Sequence, residues 1–191
     1  MTGLDGNTLR LQLVGLRKYV RAVDILTGMQ DLAKTTGVDI RFLRPIDCNL
    51  KISLAKQDKP AALARVHINS VNTPVYLLGD DRGPLSVIDE AAQPACKVAR
   101  SGDGTIFDFS FAEVPDCGVL LQTVFAQYQQ ISGKKFTVRR LAARAIETGG
   151  NSTVRLTIEI PKNASRGYLG HITRDDVTLF NIWFQPRISG N

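Results

Sequence analysis

Soft metal ligands and thiols are scarce in this chain. Its 191 residues include two histidines and three cysteines, Cys48, Cys96 and Cys117, at wide and unmatched spacings. No C-x-x-C or H-E-x-x-H occurs, which excludes the common zinc motifs, and neither a metal nor a cofactor is expected. So few cysteines, and an odd number, give no disulfide framework; buried, unreactive thiols are the expectation. Long apolar runs are missing too, so no bilayer-spanning segment and no membrane association are expected. The opening MTGLDGNTLR lacks the basic-then-apolar order of a secretory leader, which makes the cytoplasm the expected location. Aromatic residues are 7% of the chain and form no run of the kind that stacks on RNA. Zinc-finger spacing and a basic helix ahead of heptads are absent as well.

What the chain has in excess is positive charge. Twenty-four Lys and Arg against 18 Asp and Glu give a net charge of +6, with a pI near 9.4. That balance suits an anionic partner without naming one: coenzyme A, an acidic carrier protein and nucleic acid all fit. At 43% hydrophobic and 22% charged, the chain can bury a core as one large domain or two small ones.

One pattern is written twice. TLRLQLV (8–14) alternates and predicts a strand. Over 18–37, Val20, Val23, Leu26, Met29, Leu32 and Ala33 recur at helical spacing, with Gly37 as the C-cap. VDIRFLR, NLKISLA, ALARVHI and TPVYLLG then predict four strands. The second half opens on the strand TIFDFSF. It continues into a helix over 117–133, with Asp116 as N-cap and Gly133 at its end. KKFTVRRLAARAI, STVRLTIEI, GYLGHIT and VTLFNIWFQP complete it, with a turn at ETGG. NLKISLA aligns with TVRLTIE, and the only two histidines, His67 and His171, fall at equivalent places. The expected class is α+β, as two copies of one strand–helix–sheet unit. Residues 1–79 and 104–191 are the repeats, and 80–103, rich in Gly, Pro and charge, is a linker. Leu26, Met29, Phe42, Val119, Phe125 and Val138 are the expected core. Arg44-Pro45 interrupts an otherwise continuous alternation; proline cannot donate to a ladder, so the strand is expected to end there.

The stretch IRFLRPIDCNLKISL resembles acyl-CoA thioesterases of the hotdog superfamily, in which a strand ending in Phe-Leu-Arg-Pro precedes a short turn and another strand. VPDCGVLLQTVFAQ resembles the segment by which hotdog hydroxyacyl-carrier-protein dehydratases enter their helix. The resemblance implies a double hotdog, each repeat a long helix packed on a curved antiparallel sheet. It also implies an acyl thioester of CoA or acyl carrier protein as partner. The position that resembles the dehydratase helix carboxylate is Thr123, and FSFAEVPDCG carries no histidine, which speaks against dehydration.

The first helix carries Asp24 and Asp31, two turns apart and so on one face with Thr27 and Gly28. The corresponding face of the second helix holds Thr123 and Gln127. The thioesterase resemblance implies that Asp24 activates water; Asp31 and His67 are the next candidates, since imidazole transfers protons near pH 7. Lys134, Lys135, Arg139, Arg140 and Arg144 form the densest basic run, a clamp for phosphate or an acidic carrier, or a solvated strand. Alternation sends Arg139 and Arg140 to opposite faces. Three readings stay open: an acyl-thioester binder that hydrolyses its ligand, a non-catalytic duplicated module holding a ligand or protein, and a nucleic-acid-associated α+β protein. Self-association as a homo-oligomer is compatible with each.

Overall fold

A computed structural model of the chain describes residues 4–35, 37–68, 71–90, 92–101, 103–113, 115–144, 153–159 and 167–186. The ETGG turn lies outside them. Two compact units divide the chain, Met1–Ala91 and Ala92–Asn191.

The first unit holds β1 (Thr8–Leu9), β2 (Gln12–Val14), α1 (Ala22–Ala33), β3 (Val38–Phe42), β4 (Asn49–Ser53), β5 (Ala62–Ile68), β6 (Val71–Asp80) and β7 (Ser86–Ile88). Its antiparallel sheet runs β1-β4-β6-β5-β3, and β2 pairs separately and in parallel with β7. The second unit holds β8 (Cys96–Ser101), β9 (Ile106–Phe111), α2 (Cys117–Ser132), β10 (Phe136–Ala143), β11 (Thr153–Glu159), β12 (Tyr168–Arg174) and β13 (Val177–Pro186). Its strands run β8-β9-β11-β12-β13-β10, all antiparallel. The described residues thus form an α+β fold of mostly antiparallel strands with two helices. Residues 80–103, read from sequence as a linker, contain β7 and β8.

Strand neighbours differ between the units. After the helix, the second strand pairs with the fourth in the first unit (β4 with β6) but with the third in the second (β11 with β12). The element order therefore repeats while the strand order does not, which corrects the expectation of two matching copies. The expected strand 8–14 is also broken. The buried N–H of Leu11 donates to the Asn49 side-chain carbonyl at 2.8 Å, so a side chain takes the place of a ladder partner and the chain leaves the sheet. The break at Pro45 is where the sequence placed it: β3 stops at Phe42, and the N–H groups of Leu43 and Arg44 both turn to the carbonyl of Ala61.

Each helix buries one stripe. Ile25, Leu26 and Met29 of α1 are inaccessible, and so are Leu120, Thr123 and Val124 of α2. Tyr128 and Phe125 of α2 pack edge-on against Phe184 of β13. Sequence periodicity overreached at the helix margins: Leu32 and Val119 are exposed, while Phe42, Phe125 and Val138 are only partly covered. Gly37 is not the cap of α1. Lys34 is, at φ 51°, and Gly37 is needed because a Cβ there would sit 2.9 Å from that of His67.

Candidate functional site

Asp24 lies in the first turn of α1, where an acidic side chain meets the positive end of the helix. Both its oxygens are taken. Arg21, the N-cap residue, donates from Nε to Oδ2 at 2.8 Å and from Nη2 to Oδ1 at 2.7 Å. About a quarter of each side chain remains exposed. Thr27 spends its hydroxyl on the helix, donating to the carbonyls of Val23 and Asp24. Gly28 faces β1, since a Cβ there would lie 3.1 Å from Leu9 Cδ2. Asp31 is exposed, about 10.5 Å along the axis from Asp24. The four residues share a side of the helix, as their spacing requires, but the two carboxylates are not a pair.

On α2 the matching face has no carboxylate. Leu120 and Val124 are buried, Gln127 is half-buried, and Thr123 is fully inaccessible with no hydrogen-bond partner for its Oγ1 among the described residues.

The two histidines share a local arrangement that the sequence disclosed only in part. His67 on β5 lies directly opposite Asn72 on β6, with Nδ1 3.2 Å from Asn72 Oδ1. His171 on β12 lies opposite Asn181 on β13, with Nδ1 2.7 Å from Asn181 Oδ1, and its Nε2 is 3.0 Å from Glu159 Oε1 on β11. Glu159 and both asparagines were not singled out from sequence; their signal is the cross-strand register, which needs the pairing.

In the basic run, a bulge between Val138 and Arg140 interrupts the β10–β13 ladder. It corrects the expectation of opposite faces. Arg139 donates from Nε to Gln185 Oε1 at 3.0 Å, and the Arg140 guanidinium lies 4.4 Å from the Trp183 ring centroid. Gln185 and Trp183 alternate along β13, so both arginines reach one face. Lys134, Lys135 and Arg144 are exposed. Lys134 also edges a cavity of about 270 Å³ with Arg100, Tyr128 and Tyr168, none of which sequence patterning picked out. Among the described residues no cluster of His, Cys, Asp or Glu is arranged to hold a metal, and no helix is long and apolar enough to cross a membrane. Burial pushes the thiols of Cys48 and Cys96 up, away from reactivity.

No protein-family model matches the chain, and no curated protein is similar to it in sequence. Solved structures do resemble it. One is a protein assigned as an oleoyl thioesterase, from Lactobacillus plantarum, with a TM-score of 0.51 at 8% identity over 97% of this chain and 96% of that one. Another is a protein from Alicyclobacillus acidocaldarius described as having a hot dog fold, with a TM-score of 0.45 at 8% identity over 91% and 89%. A trans-AT PKS dehydratase domain from Brevibacillus brevis matches with a TM-score of 0.45 at 8% identity over 97% and 87%. At such identities the likeness is one of fold. The chain has a hotdog fold.

Proposed function

We propose that this protein binds an acyl thioester of coenzyme A or of an acyl carrier protein and hydrolyses it. The observation that carries the reading is the fold, shared over 97% of the chain with a protein assigned as an oleoyl thioesterase. In this reading Asp24 is the base that activates water, and Asp31 and then His67 follow it as candidates. Thr27, Gly28, Thr123 and Gln127 border the acyl group. Lys134, Lys135, Arg139 and Arg140 meet the phosphates or the acidic carrier; the bulge that gathers Arg139 and Arg140 supports that role. The segments 1–79 and 104–191, with 80–103 between them, descend from one duplicated ancestor and have since diverged in strand order. Their shared element order and paired His–Asn contacts support this, and the exchanged strands mark divergence.

A second reading, a non-catalytic ligand-binding or partner-binding module of the same fold, is favoured by the Arg21 clamp, which occupies both oxygens of Asp24. Thiol release from a panel of acyl-CoA substrates separates the two. Hydrolysis predicts release by the wild type and a loss of about 10²–10⁴ in rate in Asp24→Asn at unchanged melting temperature, the scale of general-base catalysis. No release from any substrate leaves the non-catalytic module. Activity that survives in Asp24→Asn moves the base to Asp31 or His67.

A further inference from the structure

The cavity beside the C-terminal end of α2 lies wholly within the second unit and combines aromatic rings with positive charge. Four aromatic residues line it, beside Gly104, Ile131 and Ser132. Phe107 meets Tyr128 edge-on with centroids 5.3 Å apart, Tyr128 stacks on Phe136 at 5.5 Å and 14°, and Phe136 meets Tyr168 edge-on at 6.0 Å. The charged side chains that line it, Arg100 and Lys134, are both positive. Arg100 is seated by Gly104: at φ 88° this residue favours glycine, and a Cβ there would fall on the Arg100 guanidinium. Arg100 also lies 5.9 Å from the Phe107 ring centroid.

Tyr128 brings a hydrogen-bonding group to the cavity wall. It is 8% exposed, and its hydroxyl bonds to no described residue. The ring is covered but the hydroxyl is not sealed off, so it can donate to a ligand in the cavity. Burial and the neighbouring Tyr168 push its pKa up against the pull of Arg100, so it remains a hydrogen-bond donor. The negative end of α2 alone would attract Arg100 and Lys134. It does not account for the aromatic rings, and two full positive charges exceed its roughly half charge.

We infer that this cavity binds a small arylcarboxylate. The ring packs edge-on and stacked among the aromatic rings, and the carboxylate accepts from the Arg100 fork, Lys134 and the Tyr128 hydroxyl. An aromatic box without cations takes ammonium groups, and here two cations bar them. A volume of about 270 Å³ is at the lower edge for ligand pockets and fits one substituted ring, not a nucleotide.

The site shares Lys134 with the thioester reading but is tested apart from it, since Arg100 and Tyr128 have no role in that reading and Asp24 belongs to the other unit. Ligand-observed NMR with benzoate and phenylacetate tests it, with benzamide as the neutral counterpart. Saturable binding of at least one acid is expected, with benzamide weaker by about tenfold or more. Arg100→Gln should weaken the acid by about tenfold or more, the scale of a charged hydrogen bond. Tyr128→Phe, which keeps the ring, should weaken it by about two- to tenfold. The inference is overturned if neither acid saturates, if benzamide binds as well as the acids, or if Arg100→Gln and Tyr128→Phe both bind like wild type. Thiol release plays no part in these readouts, so this inference and the thioester reading fail separately.

Discussion

Asp80 ends β6 at 8% exposure and collects four donors. Arg82 supplies Nε at 2.8 Å, Nη2 at 3.0 Å and its backbone N–H at 3.2 Å, and Thr8 of β1 adds a hydroxyl at 3.4 Å. Arg82 stands 76% exposed, so the ion pair by itself is worth little. The arrangement matters because it holds the carboxylate in its charged form: hydrogen bonds from Arg82 lower its pKa to about 2. A folded pKa below the unfolded value means that the stabilisation is present above about pH 4, the ordinary aspartate range, and is lost as pH falls toward 2. Urea midpoints between pH 2 and 5 check this. Wild type should lose stability through that window more steeply than Asp80→Asn. Parallel curves would mean that the contacts of Asp80 do not persist in solution.

The two helices begin differently, and the difference is measurable. Asp116 caps α2, accepting from the Val119 N–H at 2.9 Å, whereas Arg21 at the start of α1 makes no side-chain cap. Asp116→Ala should cost about 1 kcal/mol in denaturant unfolding, within a range of about 0.5–2. A loss below about 0.3 kcal/mol would show that the bond is not formed. That cap was legible in sequence, as were Gly133 at the end of α2 and the stop at Pro45, because each is written in adjacent residues. Strand existence was legible from alternation except for β7 and β8, which lie in the stretch read as a linker. Strand order was not, because alternation records which face a side chain takes and not which neighbour its backbone meets. The exchange of β5 and β6 relative to β12 and β13, the departure of the chain at Asn49, and the bulge at Arg139 are all of this kind. The same limit applied to the candidate sites. Helical spacing put Asp24, Thr27 and Gly28 on one side of α1. Nothing local announced that Arg100, Tyr128 and Tyr168, from three separate elements, line one cavity.

Across the whole molecule the dominant quantity is the net charge of +6. A diffuse excess draws any polyanion weakly, and salt removes the attraction beyond about 8 Å at physiological ionic strength. A docking face differs because its charges are gathered and oriented, and the β10 bulge supplies that for Arg139 and Arg140. The same face carries its own reporter: Trp183, the only tryptophan in the chain, lies under the Arg140 guanidinium. Coenzyme A titrated at about 50 and 300 mM salt should therefore bind more weakly at the higher salt and shift tryptophan emission as it binds. In Arg139→Glu/Arg140→Glu, two positive charges become two negative ones at that face. Affinity at low salt should fall by about tenfold or more, and most of the salt dependence should go with it. A single-stranded oligonucleotide titrated in parallel distinguishes a coenzyme-binding face from a general polyanion surface: only the latter binds the oligonucleotide as tightly as coenzyme A and loses both together on reversal. Coenzyme A affinity unchanged by the reversal, with tryptophan emission unmoved, would place the anionic partner elsewhere and leave these arginines as the solvated face of β10.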